Sequence, residues 1–291
     1  MLMSNSSEPG ARGILPCSRR DALRYLSAST LLALGLWPGR LRADNDKPAT
    51  AFRFHVINDT HCVSPECSPY LAGVVAQMKR EETAFCLHLG DLTDKGDAAY
   101  MRTVDEIFKK LPGPTYPVIG NHDYVTQTDR SGYTEVFADR INYHFAHGGW
   151  QFVGIDTTDG LRYEKTSVAT DTLRWLDQEL PRLDQRKPTV LFTHFPMGAG
   201  VNYRPLNTDA LLERFLQFNL QAVFSGHFHG FTERTAHAAT LTTNRCCSLR
   251  RDNHDGTKEK GYFLCQARDG RLQRSFVEYK PESTAPIRNV K

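Results

Sequence analysis

Five short polar motifs, each lying directly behind an apolar run, constrain this chain more than any other feature of its 291 residues. They are Asp59-Thr60-His61, Gly90-Asp91, Gly120-Asn121-His122-Asp123, Thr193-His194 and Gly226-His227-Phe228-His229. The runs ahead of them, 52–57, 84–89, 115–119, 188–193 and 222–225, have the length and apolar character of buried strands. Each motif alone is ordinary, because a strand-end histidine is commonly a satisfied structural residue. All five in one chain place carboxylates, imidazoles and an amide at the ends of five strands, where α/β sheets build their sites.

Between the strands, the sequence predicts helices over 69–82, 98–110, 170–183 and 208–218, hairpin strands over 142–155, and an alternating tail to Tyr279. That order makes a mixed α/β chain. With 40% hydrophobic and 24% charged residues it is neither disordered nor collagen-like. No linker, long charge run or repeat divides 44–291, so it reads as one domain.

Carboxylate, imidazole and amide donors suit divalent Mn, Fe, Co or Zn, and no thiolate is required. An Asp can bridge two cations by neutralising the charge between them. In Asp59-x-His61 and His227-x-His229 the spacing of two is that of an extended segment, whose i and i+2 side chains point the same way. Gly90, Gly120 and Gly226 allow sharp exits from strands and close approach of backbone to ligands.

The ordered motifs D-x-H, GD, GNHD, H and GHxH resemble those of the calcineurin-like metallophosphoesterase superfamily, and within it the class III cyclic nucleotide phosphodiesterase branch. The resemblance implies a four-layer αββα sandwich of two mixed β-sheets flanked by helices. It also implies two divalent metal ions: Asp59, His61 and His229 on one, Asn121, His194 and His227 on the other, Asp91 between them. A water made acidic by the two ions would attack phosphorus. His122, beside a ligand but not one itself, is then the expected general acid, with Asp123 orienting its ring or, alternatively, only capping the turn. Asp94 stands where purple acid phosphatases carry a tyrosine, Ile119 and Cys62 stand where protein phosphatases carry Arg and Gly, and His122 stands where lipid A pathway diphosphatases carry Arg. The expected activity is hydrolysis of small phosphodiesters. A phosphomonoesterase and a non-catalytic, metal-stabilised binding protein are the alternatives.

Residues 1–43 read as a twin-arginine signal peptide: Arg19-Arg20, then the apolar run 25–39, with cleavage near Ala43. At about 15 residues the run is shorter than the roughly 20 of a spanning helix, so no stable membrane anchor is expected, and the protein would be periplasmic or secreted through the twin-arginine machinery. This leader carries six of the 36 Lys and Arg and two of the 33 Asp and Glu. The rest therefore holds 30 basic against 31 acidic residues, which argues against a nucleic-acid partner and leaves a small phosphate ester as the expected one. Cys62 and Cys67 are spaced to close a small disulfide loop. His55, His88, His144, His147, His237 and His254 read as structural or surface residues. Substrate selection falls to the loops 125–134, 157–169, 197–206 and 243–254, where Arg130, Tyr203, Arg204 and Arg245 would either meet substrate or be ordinary surface residues.

Overall fold

The computed structural model describes residues 50–281, so the expected leader over 1–43 lies outside the described residues. Two mixed sheets carry the fold. In the first, β1 (Phe52–Ile57), β2 (Cys86–His88) and β3 (Thr115–Pro117) run parallel, and the hairpin β10 (Gly261–Arg268) with β11 (Arg271–Glu278) adds antiparallel strands beside β1. In the second, β5 (Trp150–Ile155), β6 (Thr189–Thr193), β7 (Leu220–Ser225) and β9 (Ala239–Thr243) are parallel. Its edges, β4 (Tyr143–His147) and β8 (Thr232–Ala236), pair antiparallel.

The period-two side-chain pattern of the strands builds three cores. Phe54 and Val56 of β1, Leu87 of β2, Phe152 of β5, Val190 and Phe192 of β6 and Phe224 of β7 meet between the sheets. The alternate positions face outward. Ile57 and Cys86 pack with α1 (Cys67–Met78) and α2 (Ala98–Phe108), whereas Val153, Leu191 and Val223 pack with α4 (Thr170–Glu179) and α5 (Thr208–Glu213). Helix, sheet, sheet and helix make the four-layer sandwich, as the motif order implied.

Local chemistry sets the ends of the elements. Asp97 caps α2, its carboxylate accepting from the N–H groups of Ala99 and Tyr100 at 2.8 and 3.1 Å. Met101, Val104, Ile107 and Phe108 form its buried stripe. The predicted helix over 170–183 ends as α-helix at Glu179, because Pro181 has no N–H to continue it and the last turn tightens to a 3₁₀ turn, Leu180–Arg182. The stretch 125–134 was expected to be loop throughout, yet α3 (Ser131–Val136) begins within it. No helix among the described residues is long and apolar enough to cross a membrane.

Candidate dinuclear metal centre

All seven expected ligand residues converge beyond the carboxyl ends of β1, β2, β3, β6 and β7. Two groups share one residue: Asp59, His61, Asp91 and His229, and Asp91, His194 and His227, with the ligand atoms of each group within 4.8 Å of one another. In the first, His61 Nε2 lies 3.1 Å from His229 Nε2 and 3.5 Å from Asp91 Oδ2, and His229 Nε2 lies 3.3 Å from Asp59 Oδ1. In the second, His194 Nε2 lies 3.3 Å from Asp91 Oδ1, 3.1 Å from Asn121 Oδ1 and 3.2 Å from His227 Nδ1. Asp91 thus offers one oxygen to each half.

These residues fit two cations. Donors about 2.0–2.2 Å from an ion stand roughly 3 Å from one another, which is the spacing found here. Each imidazole is also fixed through its other nitrogen: His61 Nδ1 on Asp94 Oδ1 at 3.1 Å, His194 Nδ1 on Leu89 O at 2.8 Å, His227 Nε2 on Tyr163 O at 2.8 Å and His229 Nδ1 on Asp252 O at 3.3 Å. Such contacts set the tautomer and ring plane of ligating histidines. The electrostatics agree. Burial opposes ionisation of Asp59 and Asp91, yet the neighbouring histidines hold both carboxyls below their usual range. Burial opposes charge on His194 as well, but Asp91 and Asp59 lift it to about 9. Asp59 likewise raises His229 against its burial, whereas burial prevails at His61 and His227 and holds both down, so positive charge is favoured at two of the four imidazoles.

The convergence does not arise as the sequence spacing suggested. β1 ends at Ile57 and β7 at Ser225, so neither histidine pair continues a strand. Instead Asp59, His61, Asp91, His227 and His229 have left-handed backbone, with φ of 52, 45, 51, 63 and 48°. Residues with a β-carbon hold this conformation at a cost of order 1–2 kcal/mol each, and it persists only where the surroundings impose it. Here the N–H of Asp59 donates to Gly90 O at 3.1 Å, that of His61 to Asp91 O at 3.0 Å, and that of His227 to the Asp59 carboxylate at 3.0 Å. Gly90 adds its own positive φ of 88°, and a β-carbon on Gly120 would collide with the Asp91 carboxylate.

His122, the expected general acid, lies beside the cluster with its ring 4.9 Å from that of His61, but its expected partner is corrected. The Asp123 carboxylate turns away from the His122 ring and accepts from Thr93 N and Gly120 N, both at 2.9 Å. Burial first and the nearby Asp91 charge second push this carboxyl up to about 7. It closes the turn Asn121–Asp123, which is the capping role. The residue that holds His122 is Asp94: its backbone oxygen lies 3.1 Å from His122 Nδ1 and its carboxylate 3.7 Å. The same carboxylate binds Arg251, with Nε at 3.1 Å. Burial works to raise the Asp94 carboxyl, but hydrogen bonds from His61 and Arg251 prevail and lower it to about 2.

A cavity of about 590 Å³ opens over the centre, with Asp91, Asn121 and His122 at its base. Three of the four expected loops reach it, through Tyr163, Tyr203 and Arg251 among others, whereas no residue of 125–134 lines it. Arg130 pairs with Asp156 at 2.9 Å, Arg204 with Asp209 and Arg245 with Asp255 at 3.5 Å, so these three serve the fold. His254, expected to be structural or surface, lines the cavity and stacks on His229 at 5.1 Å. Cys62 and Cys67 are free, as are the other four cysteines of the described residues; Cys67 opens α1 with Sγ 3.6 Å from Ser64 Oγ, and Cys62 packs in the core beneath that helix.

Residues 52–231 match the calcineurin-like phosphoesterase family, to which this chain belongs. A dimetal phosphatase from Danio rerio superposes with a TM-score of 0.57 at 16% identity, over 79% of this chain and 99% of that one. A purple acid phosphatase from yellow lupin seeds gives 0.59 at 13% identity over 80% of this chain and 52% of its own. The Plasmodium protein GAP50, the anchor in the inner membrane complex, gives 0.57 at 15% identity over 79% and 85%. At such identities the likeness is one of fold. No curated protein sequence matches the chain.

Proposed function

We propose that this protein is an exported phosphoesterase that hydrolyses small phosphodiesters, cyclic nucleotides among them, with His122 as general acid. The observation that carries the reading is the pairing of a shared Asp91, one oxygen toward each half-site, with a half-exposed His122 at the base of the same cavity. Asp59, His61, His229 and Asp91 would hold one divalent cation and Asn121, His194, His227 and Asp91 the other. When bound, such ions stabilise phosphoryl oxygens and acidify water.

The chain's own groups do the rest. A carbonyl oxygen accepts but cannot donate, so the Asp94 carbonyl keeps a proton on His122 Nδ1 and leaves Nε2 as the nitrogen that serves substrate. A proton on Nε2 would then pass to the leaving alkoxide. Arg251 holds the Asp94 carboxylate, which orients His61, while the Asp94 backbone oxygen orients His122. The Asp123 carboxylate fixes the turn that presents Asn121 and His122.

The test is turnover by Mn-, Fe- or Zn-loaded protein of bis(p-nitrophenyl) phosphate against p-nitrophenyl phosphate. Preference for the diester supports the reading, preference for the monoester makes the protein a phosphomonoesterase, and no turnover of either removes the catalytic reading. Export is read from Arg19-Arg20 and the run 25–39 alone. Replacing both arginines by lysine should hold the protein in the cytoplasm, and unaltered fractionation would refute that route.

A further inference from the structure

The cavity over the centre has one wall that phosphoryl transfer leaves without a task. At about 590 Å³ it has the size of sites that enclose a whole small molecule. On one side stand Arg250 and Arg251, and both already have carboxylate partners: Glu66 at 3.1 Å for Arg250, Asp94 for Arg251. The other side is apolar and aromatic. Leu161 and Tyr163 belong to one loop and are 43% and 57% exposed, although both line the cavity. Tyr203, from the second loop, lies 6.3 Å from the Tyr163 ring and 5.2 Å from the His227 ring. Two further features tie these rings to the site. Tyr163 O receives His227 Nε2 at 2.8 Å, and Tyr203 has a left-handed φ of 66°, an outlier for a side chain of its size.

We infer that Tyr163 and Tyr203 form a stacking wall for a planar aromatic ring in the ester group, so that the substrates are aryl or nucleoside phosphate esters. The inference rests on the proposed phosphoesterase reading and deepens it. Faces of tyrosine accept any flat π-system with little demand for hydrogen bonding. The Tyr203 ring lies close enough to the His227 ring for one molecule to reach both the centre and the wall. The arginines opposite are engaged, which favours an uncharged ring over a second anionic group as the distal part of the substrate.

The test is binding of non-hydrolysable probes to Mn-loaded protein by calorimetry: methylphosphonate, cyclohexylphosphonate, phenylphosphonate and the 5′-methylphosphonate of adenosine. Phenylphosphonate should bind at least about tenfold tighter than the cyclohexyl compound. In Tyr163→Ala and Tyr203→Ala that ratio should fall toward one, while Tyr203→Phe, which keeps the ring and the backbone demand, should retain it. The adenosine arm separates a nucleobase from a simple aryl group as the preferred ring. Equal binding of phenyl and cyclohexyl compounds by the unaltered protein, or an unchanged ratio in both alanine variants, overturns the inference and leaves the phosphoesterase reading standing. Failure of every phosphonate, the methyl compound included, overturns both.

Discussion

The half-site built on Asp59, His61 and His229 and the half-site built on Asn121, His194 and His227 share Asp91 and little else. The first has a carboxylate of its own. Both are almost wholly buried, but the first is braced from behind, where Asp94 joins His61 to Arg251. The second has only its share of Asp91, an amide oxygen and two imidazoles, and its His227 lies beside the aromatic wall of the cavity. More negative charge at short range binds a divalent cation more tightly. The first half should therefore retain its ion and the second exchange it.

Asp91→Asn should have the largest effect, since it weakens both halves at once: turnover falls to background and metal content, measured by elemental analysis, falls below about one ion per chain. Loss confined to one half would break the shared-ligand account. Next comes His122→Asn, which should lower kcat by about 10²- to 10⁴-fold with both ions retained. Loss of metal in that variant would make His122 a ligand and not a proton donor.

Asp94→Asn sharpens the contrast further, because Asp94 serves the first half only. Metal affinity there should fall about 10- to 100-fold, with the second half unaffected. The pH dependence has a defined sign. The folded pKa is depressed from 3.8 to about 2, so this carboxylate contributes stability that is present above 3.8 and is lost as pH falls through 2. Urea unfolding of metal-free protein and the Asn variant should therefore differ at neutral pH and converge across that window. The smallest catalytic effect belongs to Asp123→Ala. It should cost about 1–3 kcal/mol of stability by stranding the Thr93 and Gly120 N–H groups, and should change kcat less than Asp94→Asn does.

The seven candidate ligand residues were legible in the sequence because their chemical type and their place behind apolar runs are both local properties. The parallel strands were legible for the same reason, and their registry then brings the motifs together. What supports the ligands was not. Arg251 and Asp94 are 157 positions apart, and nothing in either neighbourhood announces the pair. Tyr163 and His254 lie in loops whose path depends on packing. Asp123 misled because it adjoins His122 in sequence, whereas a 3₁₀ turn rotates successive side chains by about a third of a revolution and sends this one to the backbone of Thr93. The pairs Asp59-x-His61 and His227-x-His229 converge through left-handed backbone, a conformation that spacing alone does not reveal.

The central claim is that two unlike cation sites share Asp91, and metal stoichiometry tests it directly. Mn-reconstituted protein, Asp59→Ala and Asn121→Ala should be dialysed against a graded series of chelator concentrations and their metal measured. The account predicts about two ions per chain in the unaltered protein, lost in two steps, with the tight step absent from Asp59→Ala and the weak step absent from Asn121→Ala. A single ion per chain, or one step that both variants abolish together, would contradict it.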